Sequence, residues 1–167
     1  WLDLCSGSGS MACEALQNGV KRILAIENQR ETAKTCKKNL INVSSSIDES
    51  LNIEVICHEL ISFLKKGPKN QKIKFTKNYP SCDPKFDFVF LDPPYDSGLY
   101  EISQELLLSR QWIKEEGTLI CECSSKSMPR INNGWKLKKE KFYGNTSLLF
   151  LTPNLALNCF GDTDSMH

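Results

Sequence analysis

Residues 1–27 have the sequence WLDLCSGSGSMACEALQNGVKRILAIE, and this stretch decides the fold. An apolar run at residues 1–5 leads into a glycine turn, SGSG, at residues 6–9. Small and apolar residues then recur at helical spacing, and a second apolar run ends at Glu27. Strand, turn, helix and strand in this order predict the first unit of a doubly wound α/β sheet.

The rest of the chain continues this alternation of strands and helices. FDFVFL, at residues 86–91, is almost wholly apolar, as in the central strand of a parallel sheet that is covered on both faces. The other predicted elements are helices at residues 10–19, 30–40, 60–64 and 99–112, and strands at residues 53–57, 117–123, 135–141 and 147–151. We therefore predict a Rossmann-like α/β sheet, mostly parallel, with an antiparallel C-terminal strand.

The length, net charge and apolar content of the chain indicate which classes of protein it can belong to. The chain has 167 residues, of which 40% are hydrophobic, which suits one domain at residues 1–153 followed by an aperiodic, mobile tail at residues 154–167. Its net charge is only +1, so any affinity for nucleic acid must come from local patches. Because no apolar run approaches the roughly 20 residues that span a bilayer, we expect a cytoplasmic protein with no membrane contact.

The eight cysteines do not predict a metal site. They include no C-x-x-C pair, and only His58 and His167 could add histidine ligands. We expect no metal and interpret most of the cysteines as small core residues.

The glycine turn predicts a nucleotide-containing cofactor. Gly7 and Gly9 allow close approach of the ligand to the backbone, and the following helix offers free N–H groups at its N-terminus. Glu27, at the end of the second strand, is placed to accept from ribose hydroxyls of either NAD or S-adenosylmethionine (SAM). Asp3 favours SAM, because it is positioned to reach an amino-acid ammonium that NAD lacks. In the alternative interpretation the glycines form an ordinary turn and Glu27 is a solvated strand end.

The end of the third predicted strand supplies another candidate ligand. Glu59 is placed to accept from the adenine amino group of the cofactor, with Leu60 beside it. Alternatively, Glu59 is an acid at a helix N-terminus, where the helix dipole favours it. His58 is interpreted as an ordinary packing or surface residue.

The segment DPPY, at residues 92–95, is the most specific signal in the sequence. Methylation of an exocyclic amine requires acceptors for its two hydrogens, and the Asp92 carboxylate and the Pro93 carbonyl supply both. Pro93 and Pro94 hold the backbone rigid, and Tyr95 offers a face on which a base can stack. In the alternative interpretation, the two prolines only end the strand and Tyr95 packs.

Six segments together resemble one protein family. They are DLCSGSGSMACEA (3–15), AIEN (25–28), SFL (62–64), FLDPPY (90–95), GTLICE (117–122) and KFYGNTSLLFL (141–151). The chain resembles the RsmD family of bacterial 16S rRNA guanine-N2 methyltransferases, which have the class I methyltransferase fold. The resemblance implies SAM as cofactor, S-adenosylhomocysteine as product, and ribosomal RNA or the small ribosomal subunit as partner.

The resemblance has two departures. The family carries an N-terminal segment before the first strand, which this sequence lacks, so we expect weak activity without it. Residues 65–85 form a longer and more basic loop than usual, which is either a phosphate contact or a solvated loop.

Other functions remain open at this point. They are an adenine-N6 methyltransferase of DNA or RNA, a NAD-dependent oxidoreductase and a non-catalytic nucleotide-binding module. Similarity outside DPPY favours guanine N2. The predicted catalytic residues are Asp92, Pro93, Pro94 and Tyr95, and the predicted cofactor-binding residues are Asp3, Ser6, Gly7, Ser8, Gly9, Glu27, Asn28, Glu59, Leu60 and Asp92.

Overall fold

The computed structural model describes residues 1–47, 51–71, 73, 84–94 and 97–154. Its strands are β1 (Leu2–Leu4), β2 (Arg22–Glu27), β3 (Asn52–Cys57), β4 (Phe86–Leu91), β5 (Ile113–Ser124), β6 (Trp135–Tyr143) and β7 (Thr146–Pro153). Its helices are α1 (Ser10–Gln17), α2 (Arg30–Ser45), α3 (Leu60–Lys66) and α4 (Leu99–Ser109), with a short 3-10 helix at Pro68–Asn70.

The described strands form one sheet in the order β3-β2-β1-β4-β5-β7-β6. Strands β1 to β5 pair in parallel, whereas β7 is antiparallel to both β5 and β6. The predicted fold, a mostly parallel doubly wound sheet with an antiparallel C-terminal end, is confirmed. The strand order reverses between β1 and β4, and such a switch point opens a crevice at the carboxyl ends of the strands.

Two apolar layers cover the sheet, as the side chains of β2 show. Ile23 and Ala25 pack with residues of α1 and α2, whereas Leu24 and Ile26 pack with residues of α3 and α4. Successive side chains of a strand point to opposite faces, so a strand covered on both sides needs a continuous apolar run. This requirement explains why the central strands lack polar alternation.

The boundary between α4 and β5 differs from the prediction. The helix ends at Ser109 instead of residue 112, and β5 begins at Ile113 instead of residue 117. Gln111 has a φ of 58°, which ends the helical path. The buried Trp112 indole N–H donates to the Leu64 carbonyl at 2.8 Å. This contact with α3 fixes the turn, and the local sequence does not encode it.

The structure bears on two further predictions, the domain boundary at residue 153 and the absence of a membrane-spanning helix. The last described strand ends at Pro153, and residues 155–167 of the predicted tail lie outside the described residues. The proposed domain boundary therefore stays a prediction. Among the described residues, no helix is both long and apolar enough to cross a membrane.

Candidate active site

A cavity of about 480 Å³ opens at the carboxyl ends of β1 to β5. This volume lies in the range typical of small-molecule sites. Its lining includes four acids and no Lys or Arg among the described residues. The lining residues are Cys5, Ile26, Glu27, Asn28, Gln29, His58, Glu59, Leu60, Asp92, Pro93, Pro94, Leu99 and Glu122. The cavity lies at the switch point of the sheet and holds many of the predicted site residues.

The glycine turn is attached to the end of β2 through Glu27. Its carboxylate accepts from the Gly7 N–H at 2.9 Å and from the Gln29 N–H at 2.9 Å. These two bonds hold the carboxylate at the rim of the cavity, where Glu27 is only 8% exposed. A fixed acceptor at this position suits recognition of a ligand hydroxyl pair.

Glycine is required at position 9 for two reasons. Gly9 has a φ of 82°, in the left-handed region, and a Cβ there would lie 2.7 Å from the Cys36 Sγ of α2. At Gly7, with a φ of 52°, nothing lies within 4 Å of the corresponding Cβ position. The turn therefore packs closely on α2 at Gly9, whereas Gly7 adjoins open space.

The two serines of the turn hold its backbone rather than line the cavity. The Ser6 N–H donates to the Ile26 carbonyl at 2.9 Å, and the Ser8 carbonyl accepts from the Asn39 side chain at 3.0 Å. Of the predicted cofactor-binding residues, those that line the cavity are Glu27, Asn28, Glu59, Leu60 and Asp92, whereas Asp3, Ser6, Gly7, Ser8 and Gly9 lie outside the lining.

Asp3 is the most deeply buried acid of the predicted site. It is 1% exposed, and its Oδ2 atom has no hydrogen-bond partner among the described residues. Burial, with the nearby charge of Asp92 as a smaller cause, raises the pKa of Asp3 to about 7. A buried carboxylate without a full set of partners is costly, which suits a group that has a role beyond stability.

Glu59 is the N-cap of α3. Its carboxylate accepts from the Ile61 N–H at 2.8 Å and the Ser62 N–H at 2.7 Å, and these hydrogen bonds lower its pKa. Glu59 therefore caps a helix, as the alternative interpretation expected. Its exposed side chain also lines the cavity. The Leu60 N–H belongs to the first turn of α3, where no intrahelical acceptor exists.

The DPPY segment places its first three residues on the cavity wall. Asp92 is half-buried, Pro93 is buried and Pro94 is exposed. Burial, together with the charge of Glu122, raises the pKa of Asp92 to about 6. Tyr95 lies outside the described residues.

Sequence reasoning missed several lining residues, of which Cys5 and Glu122 are the most informative. Burial raises the pKa of the Cys5 thiol to about 12, so it is a neutral wall residue and not a nucleophile. Glu122 carries a recognisable signal, an acid at the end of the apolar run GTLIC. Within the described parts of the chain, no group of three or more His, Cys, Asp or Glu side chains is arranged so that it could hold a metal ion.

Comparison with known proteins assigns the family. Residues 1–152 match the family model described as "Conserved hypothetical protein 95". The chain is 35% identical over 147 residues to "Ribosomal RNA small subunit methyltransferase D" of Haemophilus influenzae, covering 87% of this chain and 67% of the relative. The same curated protein of Escherichia coli is 27% identical over 148 residues and is covered to 64% of its length.

A solved structure agrees with this assignment. A putative methylase from Haemophilus influenzae matches with a TM-score of 0.71 at 31% identity, covering 91% of this chain and 84% of that one. This chain spans about two thirds of the length of the curated relatives it matches. The expected resemblance is confirmed, and the chain belongs to the RsmD family of SAM-dependent ribosomal RNA methyltransferases.

Proposed function

We propose that this chain transfers a methyl group from SAM to the N2 amine of a guanine in small-subunit ribosomal RNA. The observation that carries the proposal is the position of Asp92 and Pro93 at the wall of the switch-point cavity. When bound there, SAM supplies an electrophilic methyl group. The protein is then required only to hold and orient the amine.

The chemistry of the wall suits an exocyclic amine. The Asp92 carboxylate and the Pro93 carbonyl accept its two hydrogens and direct the nitrogen lone pair at the methyl group. Such alignment avoids the entropic cost of bringing the reactants together, and the carboxylate stabilises positive charge that develops on nitrogen. No covalent intermediate is needed. Tyr95 is proposed as the stacking surface for the base.

The cofactor is proposed to lie along the cavity with each part matched to a different strand end. Glu27 accepts from the ribose hydroxyls, with Asn28 beside it. Glu59 accepts from the adenine amino group, and the Leu60 N–H donates to the adenine ring. The glycine turn, residues 6–9, adjoins the amino-acid end, above the buried carboxylate of Asp3.

Substitution of Glu27 by alanine tests this placement. We expect SAM affinity to fall by about 1–3 kcal/mol, the scale of hydrogen bonds to a charged group. Calorimetric titration with SAM measures the loss, and Glu27→Gln, which keeps one carbonyl acceptor, should lose less. An affinity equal to that of the wild type in Glu27→Ala would remove Glu27 from the cofactor site.

The expected product is N2-methylguanosine in small-subunit RNA. Nucleoside mass spectrometry of this RNA, from cells with and without the gene, measures it directly. The proposal predicts loss of N2-methylguanosine without the gene. A change in N6-methyladenosine instead would support the adenine alternative and leave the amine mechanism standing.

The substrate is proposed to be the RNA of the small subunit, in the cytoplasm where ribosomes assemble. Basic residues support an RNA contact away from the acidic cavity. Lys66, Lys69, Lys85 and Arg110 surround a second cavity of about 550 Å³. Phosphates are the natural partners of such a group. Of the other lysines in the predicted basic loop, Lys65 is exposed at the end of α3, whereas Lys72, Lys74 and Lys77 lie outside the described residues.

A further inference from the structure

The amine site contains a second carboxylate beside Asp92. In the register of β4 and β5, Leu91 pairs with Cys121, so the next residues along the two parallel strands are Asp92 and Glu122. Both residues are half-buried and both line the cavity. Two acids thus share the part of the cavity where the DPPY segment begins.

The part of the chain that the structure describes supplies neither carboxylate with a neutralising partner. Among the described residues, no hydrogen-bond donor or cation contacts the side chain of Asp92 or Glu122, and the charge of Glu122 is one cause of the raised pKa of Asp92. The position of Glu122 is nevertheless defined, because the hydroxyl group of Tyr100, on α4, donates to its backbone carbonyl. Adjacent unpaired acids destabilise each other, so the arrangement suits a ligand that brings several donors.

Guanine presents such a set of donors along one edge. Its N1–H lies directly beside the exocyclic N2 amine, whereas adenine carries an unprotonated, accepting N1 beside its N6 amine. An ionised carboxylate can accept hydrogen bonds but cannot donate them. A second acid beside the amine acceptor therefore complements guanine and opposes adenine.

We propose that Glu122 is a specificity-determining residue that accepts the N1–H of the target guanine while Asp92 accepts from its N2 amine. This inference rests on the proposed function. Adenine in the same position would direct its N1 lone pair at the Glu122 carboxylate and leave that carboxylate desolvated without a donor. The choice between guanine and adenine, which the DPPY segment cannot make, is then made by β5.

The experiment uses a base that keeps the amine and lacks the N1–H. Once the methylated nucleotide has been mapped, it is replaced by 2-aminopurine in a synthetic small-subunit RNA fragment. The complete protein is assayed on both RNAs for kcat/KM. We expect the wild type to prefer guanine by about 10²-fold or more, because a site built around a donor rejects the analogue that lacks it.

Glu122→Gln should reduce this preference at least tenfold. The glutamine NH2 donates to the unprotonated N1 of 2-aminopurine, so the rate on the analogue is maintained or rises. The glutamine carbonyl accepts the guanine N1–H more weakly than a carboxylate does, so the rate on guanine falls. The matched control is Glu116→Gln, an exposed acid on the same strand outside the cavity, which should keep the wild-type ratio. Loss of packing alone would lower both rates and leave their ratio unchanged.

The outcomes separate the two proposals. An unchanged guanine preference in a folded Glu122→Gln protein overturns the role of Glu122. The wild-type protein alone gives a second test: equal kcat/KM values on the guanine and 2-aminopurine RNAs also overturn this role. Absence of N2-methylguanosine formation by the wild type overturns the proposed function itself.

Discussion

Replacement of Asp92 by alanine is expected to lower the rate of methyl transfer by about 10²–10³-fold, the scale seen when one preorganised electrostatic contact to a transition state is removed. Folding and cofactor binding should persist. The carboxylate is half-buried, and no residue that the structure describes neutralises it, so we expect its removal to cost little stability. Single-turnover methylation of small-subunit RNA measures the effect, with thermal unfolding and SAM titration in parallel.

A matched control for this variant lies on the same strand. Asp87→Asn changes an exposed acid that pairs with Lys114, far from the cavity, and should leave the rate unchanged. The wild-type rate should also fall as the pH drops through about 6, because protonation of Asp92 removes the negative charge that stabilises the developing positive charge on the amine nitrogen. Near wild-type turnover in Asp92→Ala would refute the proposed mechanism.

Replacement of Asp3 by asparagine is expected to raise the free energy of unfolding at about pH 8 by up to about 4 kcal/mol. This figure follows from the pKa of Asp3, which folding raises from 3.8 to about 7. The pKa is higher in the folded state than in the unfolded chain. The stability associated with the protonated carboxyl group is therefore present at low pH and lost as the pH rises through about 7. Asparagine keeps the shape without the charge.

Urea denaturation at about pH 8 and about pH 4 measures this difference. The gain in Asp3→Asn should be large at the higher pH and small at the lower one. Asp87→Asn is again the control, with the opposite sign, because the Lys114 contact lowers the pKa of Asp87. An Asp3→Asn protein no more stable than wild type at about pH 8 would contradict the assignment of Asp3 as a destabilising buried charge.

The sequence predicted the central part of the fold because its local signals agree with its tertiary packing. In residues 1–27 the apolar runs, the glycines and the helical spacing all indicate one strand-turn-helix-strand unit. The α4–β5 boundary was missed, because it depends on the Trp112 contact with Leu64, a residue 48 positions earlier. No local pattern records such a contact.

In the candidate site as well, local motifs predicted some residues, whereas others depend on the tertiary structure. Glu27 and Asp92 were predicted because each follows a recognisable motif at a strand end. Glu122 was missed as a site residue because its significance depends on which strand lies next to β4, and that neighbour is set by the topology of the sheet. Glu59 shows a further difficulty, since one side chain both caps a helix and faces the cavity.

The acidic lining of the cavity also bears on the completion of each catalytic cycle. Four acids and no Lys or Arg face the interior among the described residues. The methyl donor carries a positive sulfur, and after transfer its by-product carries a neutral one. Electrostatic attraction to the lining is therefore weaker for the by-product than for the donor. The acidic lining therefore contributes to binding of the donor and contributes less to retention of the by-product after methyl transfer.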